Sequence, residues 1–536
     1  MNQFSPTAAP TLDDADRLAA AGRRDEAIGL LQSILDGPGR SPQAAVKLCY
    51  MLIGVGRPEE AVLVIEGFAE AWNADLGVLT AHGAALKAEG RLDQAIEVYK
   101  RAIAASPASG VAEHNLAAAL GDGHWFAEAE AATSRALAKG LDAPETWLVR
   151  ARAFQGLGRF DDAVRAFRQV LLRRNSAEAH AELAQLIWMQ TEDSALALRD
   201  LDAALTANPG EAGFIRAKAK LLENTGDREG AYRLFSDALA RPSADRSLNA
   251  DAALIACWTD GDRALAHAES AIAAFPGRAD ALSALCQANL AAGRPEAALE
   301  IAESLQRRWP RDQFITALLG MSWRMLGDPR YRALCDYDRL VRSRPITVPD
   351  GWSSLESYIS DLGTSLRRLH QLRAHPVGQS LRHGTQTLQS LDRSNDPVIK
   401  AFFTAIDTPI RQYLDSLSAA GEALGRPYSP GDGYRVDKAW SVRLGPGGSH
   451  VNHLHPKGWI ASACYIELPS AVEREPQGWL KFGEPGIPTS PALIAEHYVR
   501  PQLGHLVLFP AYMWHGTAPF AGEESRLSAA LDIIHA

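Results

Sequence analysis

Cysteine is scarce in this sequence. The five present, Cys49, Cys257, Cys286, Cys335 and Cys464, are odd in number and scattered, with no CxxC pair. That speaks against a disulfide framework and against a thiolate zinc site, and they read as small buried hydrophobes. Long apolar runs are missing as well. No stretch approaches the roughly 20 apolar residues that span a bilayer, and the opening MNQFSPTAAPTLDDADR has neither the basic nor the apolar segment of a secretory leader. A cytoplasmic protein with no membrane partner is the expectation. Positive charge is not in excess either: the formal net charge is −9, with 22% charged residues, so nothing matches a phosphate backbone and nucleic acid is not an expected partner. With 46% hydrophobic residues in 536, the chain is long enough for two or three globular domains, each with its own core.

What the sequence does have is alanine at a fixed interval. Ala27, Ala61, Ala95, Ala129, Ala163, Ala197 and Ala231 follow one another at 34 residues, and the series continues at Ala264 and Ala297 with spacing 33. Before each alanine comes a turn, usually containing glycine (EGRLDQA, LGRFDDA, TGDREGA, AGRPEAA), and after it an apolar run that often closes on proline, as at Pro107, Pro209 and Pro276. In DQAIEVYKRAIAASP, Ala95, Ile96, Tyr99, Ala102 and Ile103 fall on one face of a helix. Small residues at a second fixed place (Cys49, Gly83, Ala117, Ala151, Ala219) would let paired helices approach closely. This frame resembles the tetratricopeptide repeat, over about nine units between residues 11 and 312. Its large aromatic position is filled by Tyr99, Phe167 and Phe235 but by Thr133 in one unit. The resemblance implies stacked helix pairs whose surface binds a peptide or protein. Trp125, Trp147, Trp188 and Trp258 are read as packing between repeats, with contact to a bound partner as the alternative.

The frame fades after Pro310, and SRPITVPDGW (343–352) breaks it with two prolines and a glycine. Residues 353–373 and 397–424 still read as amphipathic helices, with the polar stretch GQSLRHGTQT (378–387) between them taken as a loop. From about 434, short β-rich runs follow one another (AWSVRL, ASACYIEL, WLKFGE, HLVLFP, RLSAALDII), separated by Gly/Pro turns. That pattern predicts an antiparallel sandwich or barrel with helices packed outside it.

Three histidines crowd HVNHLHPKGW. His453 and His455 are two apart, so on a strand they point the same way. His515 lies sixty residues on from His455, just past an apolar strand, and Arg526 opens RLSAALDII. The frame H-x-H, then H, then R-x-S suits a mononuclear metal site on a double-stranded β-helix: ligands come from one side of the ion, open positions remain on the other, and a cation lies further in. An inert zinc or nickel site and a cupin remain as alternatives at this point. The cupin glutamate is absent, however, because Trp459 and Ile460 occupy its place. An inert site would also give Arg526 little purpose.

The stretches QSLRHGTQT, AWSVRLGPGGSHVNHLHPKGWIASACYIELP, GWLKFGEP and GHLVLFPAYMWHGTAPF with RLSAALDII look like the iron(II)/2-oxoglutarate-dependent oxygenases, in the bacterial branch with N-terminal tetratricopeptide repeats. The resemblance implies Fe(II), 2-oxoglutarate and O2 as cofactor and cosubstrates. It implies His453, His455 and His515 as metal ligands and Arg526 with Ser528 as the anchor of the diacid. The family's ligand set is usually His-x-Asp/Glu…His; His455 stands where a carboxylate is common, as in members that use three histidines. Tyr465 and Lys481 sit on candidate inner strands near the cosubstrate. Asp532, on the Arg526 face of the last strand by period-2 counting, is placed to orient a ligand imidazole. His450, Asn452, Trp514 and Gln386 are candidates for supporting the ligands or lining the substrate mouth, and His497, His505 and His535 are read as incidental. The expected fold is multidomain. A tail (1–10) precedes an all-α tetratricopeptide-type solenoid (11–325) and a transition (326–352). An α+β domain (353–536) follows, with flanking helices over 353–430 and a double-stranded β-helix, or jelly-roll, core over 431–536. The implied activity is hydroxylation of a side chain on a peptide or protein brought in by the repeats. A small-molecule hydroxylase and a non-catalytic interaction protein are the alternatives.

Overall fold

The computed structural model describes residues 11–37, 40–69, 71–418 and 433–535. The expected tail 1–10, and residues 419–430 of the expected flanking segment, lie outside the described residues. The chain divides into two compact units, 1–175 and 176–536.

In the first unit, helices run in pairs joined by tight turns. The turn glycines Gly22, Gly56, Gly90 and Gly158 have φ between 72° and 85°, a backbone region that a Cβ makes costly. The periodic alanine occupies the same place every time, the fourth residue of the second helix of the pair, as Ala95 does in Leu92–Ala105. Ala27, Ala61, Ala95, Ala129 and Ala163 are all fully buried. Close approach is enforced elsewhere too: a Cβ on Gly83 would stand 2.5 Å from the Tyr99 ring. The pattern continues in the second unit at Ala197, Ala231 and Ala264. There the sequence reading needs one correction. Ala298, not Ala297, is the fully buried residue, because Pro295 is the first residue of Pro295–Arg308; counting from Ala264, the interval is 34 again.

The second unit adds an antiparallel sheet to its helices. The strands are β1 (Arg342–Pro345), β2 (Leu381–Gln386), β3 (Tyr434–His453), β4 (Ile460–Glu467), β5 (Leu480–Phe482), β6 (His497–Val499), β7 (His505–Pro510), β8 (His515–Thr517) and β9 (Arg526–His535). Their order in one curled sheet is β1-β7-β4-β9-β3-β8-β5-β6, with β2 also on β3. Two stretches behave differently from the sequence reading. The Pro/Gly-rich break contributes edge strand β1, paired with β7, and the polar stretch at 378–387 holds strand β2 at 381–386 where a loop was expected, because β3 offers it a partner along residues 442–450. Helices Leu355–Arg367 and Pro397–Ser418 close one face through Tyr358, Leu362, Phe402, Ile406 and Tyr413, packed with Ile460, Cys464 and Leu508.

Strand β3 changes partner midway. Residues 434–444 pair with β9, and 450–453 pair with β8. The switch falls on Gly445-Pro446-Gly447-Gly448, where Gly447 takes φ 72° and proline removes a ladder donor.

The segment leading into β2 is held by repeat helices. The N–H groups of Arg373 and Ala374 donate to the Met189 carbonyl, and the Trp188 indole N–H donates to the His375 carbonyl at 2.9 Å. Trp188 is thus buried and tied to the segment that leads into β2. Asn224 serves two partners: its amide nitrogen donates to His375 Nε2 at 3.1 Å, and its oxygen accepts from the Gly378 N–H at 3.1 Å. Asn224 is buried, so Asn224→Ala leaves the buried His375 ring and the Gly378 N–H without these partners. It is expected to lower unfolding free energy by about 2–3 kcal/mol. An unchanged urea midpoint would show that the segment is held by something else. Among the described residues, no helix is long and apolar enough to cross a membrane.

Candidate metal centre

Three imidazoles converge where β3 and β8 meet. Register places His453 opposite His515, which brings their side chains together on one face; the ring centroids are 4.2 Å apart. His455 arrives differently from the strand alternation expected of H-x-H. Strand β3 ends at His453, and His455 lies beyond it, its N–H donating to the Ala511 carbonyl at 3.0 Å. A turn, not a pleat, aims this ring. One nitrogen from each of the three rings lies within 4.8 Å of the others.

The second nitrogen of each ring is already occupied. His453 Nδ1–H donates to the Val451 carbonyl and His515 Nδ1–H to the Met513 carbonyl, each at 2.9 Å. His455 Nδ1 meets the Asp532 carboxylate at 2.7 Å. The two carbonyls fix the protons of His453 and His515 on Nδ1 and leave their Nε2 lone pairs free, while the Asp532 carboxylate stands behind His455. His455 Nε2 and His515 Nε2 face each other at 3.3 Å, an arrangement that a cation between them relieves. Burial and the neighbouring rings push His453 down to about 3 and His515 well below the usual histidine range, so both rings are neutral, as ligands must be. The donor set therefore fits a transition-metal ion of the imidazole-binding kind.

Beside the triad, Ser380 Oγ lies 2.9 Å from His450 Nδ1 and 3.3 Å from His453 Nε2. Ser380 stands just after the segment that Asn224 holds; its stretch, QSLRHGTQT, carries part of the family resemblance, but no pattern marks the serine itself. His450 does not join the three-nitrogen cluster; it stacks on His453 with centroids 5.8 Å apart.

On β9, Arg526, Ser528, Ala530 and Asp532 all face one cavity of about 570 Å³ that also contains the three histidines, as period-2 alternation requires. Arg526 is fully buried at the deep end. Its Nη1 donates to the Gly478 carbonyl at 3.0 Å and to Thr517 Oγ1 at 3.2 Å, and its guanidinium lies 4.8 Å from the Tyr465 ring centroid. Arg526 Nε and the Tyr465 hydroxyl are buried with no hydrogen-bond partner among the described residues. A buried guanidinium with unused donors and no acid beside it fits the carboxylate of a bound diacid. Leu480 and Phe509 supply apolar wall.

Not every candidate residue reaches the cavity. Gln386 and His450 line it. Trp514 turns away, its ring against Phe314 with centroids 6.2 Å apart, in an apolar cluster with Leu318 and Leu319. Asn452 Nδ2 donates to the Pro485 carbonyl at 3.3 Å, bracing the loop after β5. Lys481 is held off by Glu484, 2.5 Å away. Tyr337 stacks on His497 and Trp459 on His535. The sequence reading missed the wall built by Lys220, Glu223 and Asn224, on helix Ala212–Asn224, together with Trp440 on β3. The repeat pattern carries no signal for the first three.

Parts of the chain are similar to known proteins. The chain is 31% identical over 99 residues to "Uncharacterized protein y4yS" of Sinorhizobium fredii (strain NBRC 101917 / NGR234), covering 18% of this chain and 54% of that protein. It thus spans about half the length of the curated relative it matches. Among solved structures, TTC0263, a thermophilic TPR protein in Thermus thermophilus, aligns with TM-score 0.29 at 22% identity, over 33% of this chain and 96% of that one. The human IFIT1 dimer with PPP-AAAA aligns with TM-score 0.33 at 18% identity, over 61% and 80%. Residues 76–109, 148–212 and 259–318 match tetratricopeptide repeat families. Residues 438–532, which include the three histidines, Arg526 and Asp532, match the family described as "Putative 2OG-Fe(II) oxygenase". The chain thus joins tetratricopeptide repeats to a C-terminal domain that carries the signature of the 2OG-Fe(II) oxygenase family.

Proposed function

We propose that this protein is an iron(II)- and 2-oxoglutarate-dependent dioxygenase that hydroxylates a side chain of a peptide or protein recruited by its repeats. The observation that carries this reading is a single cavity with three Nε2 lone pairs at one place and an acid-free guanidinium deeper in. Iron(II) with 2-oxoglutarate and O2 supplies the oxidising chemistry when bound.

The chain's own residues have separable tasks. His453, His455 and His515 hold the ion from one side, and the Val451 and Met513 carbonyls and Asp532 keep their rings in place. Arg526, with Ser528 beside it, takes the far carboxylate of the diacid. Tyr465 beneath the guanidinium and the Leu480–Phe509 wall exclude water there, which strengthens the charge pairing. The repeats' part in recruitment is supported by helix Ala212–Asn224, whose residues belong to the cavity wall.

Anaerobic titration of the full-length protein with Fe(II) and then 2-oxoglutarate tests the reading. A visible charge-transfer band that needs both components, followed by succinate formation on exposure to air, is the expected result. One ion bound with neither band nor succinate would leave an inert metal protein.

A further inference from the structure

The cavity has a second charged region, at its mouth. Its exposed lining residues include Lys220 of helix Ala212–Asn224, Lys438 of β3 and Lys457 just past His455, and the half-buried Arg382 of β2 lines it too. The acids lining the mouth are Glu223 and Asp437; Asp532 is engaged with His455 deeper in. Among the described residues, none of Lys220, Arg382, Lys438 and Lys457 forms an ion pair with a carboxylate. This local excess of positive charge sits on a chain whose net charge is −9, so it runs against the average surface.

Arg382 is the centre of the excess. Its Nη1 donates to the Gln379 and Leu381 carbonyls at 2.7 and 2.8 Å, neutral acceptors that satisfy hydrogen bonds without cancelling charge. Burial disfavours its charge, the Arg228 guanidinium adds to that, and Glu223 offsets the two only in part. Arg228 stacks over Trp258 at 3.9 Å and has a buried Nε with no hydrogen-bond partner. Four cations at a mouth that carries two carboxylates, with none of the four in an ion pair among the described residues, are stabilised by an anion from outside. Arg526 is not available for that role, because it is deep in the cavity and assigned to the diacid.

We infer that the cavity mouth is an anion-recognition site, built by Arg382 with Lys220 of a repeat helix, that binds a carboxylate or phosphate group carried by the substrate. The inference rests on the oxygenase reading and gives it a substrate class. It also assigns the repeats a part in selectivity, since Lys220 comes from them.

Fluorescence anisotropy of fluorescein-labelled hexaglutamate and hexaserine peptides with the full-length protein tests the site. Hexaglutamate is expected to bind about tenfold tighter or better than hexaserine, with affinity falling as salt rises. Lys220→Gln and Arg382→Gln are each expected to weaken it about threefold and the pair about tenfold, while Arg311→Gln, an exposed arginine outside the cavity, leaves it unchanged. Lys220 is exposed, so its variant keeps the test open if Arg382→Gln fails to fold. Displacement by millimolar inorganic phosphate assigns a bare anion, and displacement by unlabelled peptide alone assigns an acid presented on a chain; both support the site. Equal binding of the two peptides, or binding unmoved by both variants, overturns it. Zinc affinity measured on the same samples separates the two ideas. Intact metal binding without hexaglutamate preference removes the anion site alone, and hexaglutamate preference without metal binding removes the oxygenase reading alone.

Discussion

Arg526→Met should leave the metal-free protein as stable as before, or more so, while weakening 2-oxoglutarate binding about 100-fold or more. Desolvation sets the sign of the stability effect. Arg526 is the largest fully buried side chain, its guanidinium has no carboxylate beside it among the described residues, and burial lowers its pKa. A buried cation in that state opposes folding. Methionine fills similar volume with flexible apolar atoms, and what is lost is the pair of hydrogen bonds to Gly478 and Thr517, worth about 1 kcal/mol each. A structural arginine would behave oppositely, since removing one partner of a satisfied buried pair costs about 3–5 kcal/mol. Calorimetric melting of the metal-free protein and titration of 2-oxoglutarate onto the iron-loaded protein read the two effects separately. A large drop in melting temperature with unchanged diacid affinity would make Arg526 a piece of scaffold.

Much of this was legible in the sequence, for identifiable reasons. The repeat is read from a packing requirement: alanine recurs because only a small residue fits at the fourth place of each second helix, and burial at Ala27, Ala61 and Ala95 is complete. The face of β9 is read from the pleat, which puts Arg526, Ser528 and Asp532 on one side. Where local pattern failed, the cause was a long-range partner. QSLRHGTQT is too polar to announce a strand, and it becomes one because β3 pairs with it. Ser380 and Asn224 carry no periodic signal at all, since their importance lies in contacts between segments about 70 residues apart for Ser380 and about 150 for Asn224. The same holds for Arg324, an ordinary helix residue in sequence, whose guanidinium donates to the Gly483 and Ile494 carbonyls of the loops around β5 and β6. His455 is an intermediate case. Its spacing from His453 identified it, yet the turn on Ala511, not strand alternation, delivers it.

That turn makes His455 the informative position for the last expectation. His453→Ala and His515→Ala should each weaken metal binding by more than about 100-fold, beyond the roughly 10–100-fold that loss of a group behind a ligand costs. His455→Ala should fall with them, and Asp532→Asn should fall in the smaller range. The ordering follows from charge. Three neutral imidazoles leave the ion's full charge uncompensated, unlike a site with a carboxylate ligand. Here the nearest compensation is Asp532, one imidazole removed, at 2.7 Å from His455 Nδ1. That contact raises the donor strength of His455 Nε2 and returns part of the missing negative charge to the site. Competition against a chromophoric zinc chelator, run on all four variants, measures the series. If His455→Ala costs no more than Asp532→Asn, the ion is held by His453 and His515 alone, and the Asp532–His455 pair is a wall of the cavity instead of part of the ion's coordination.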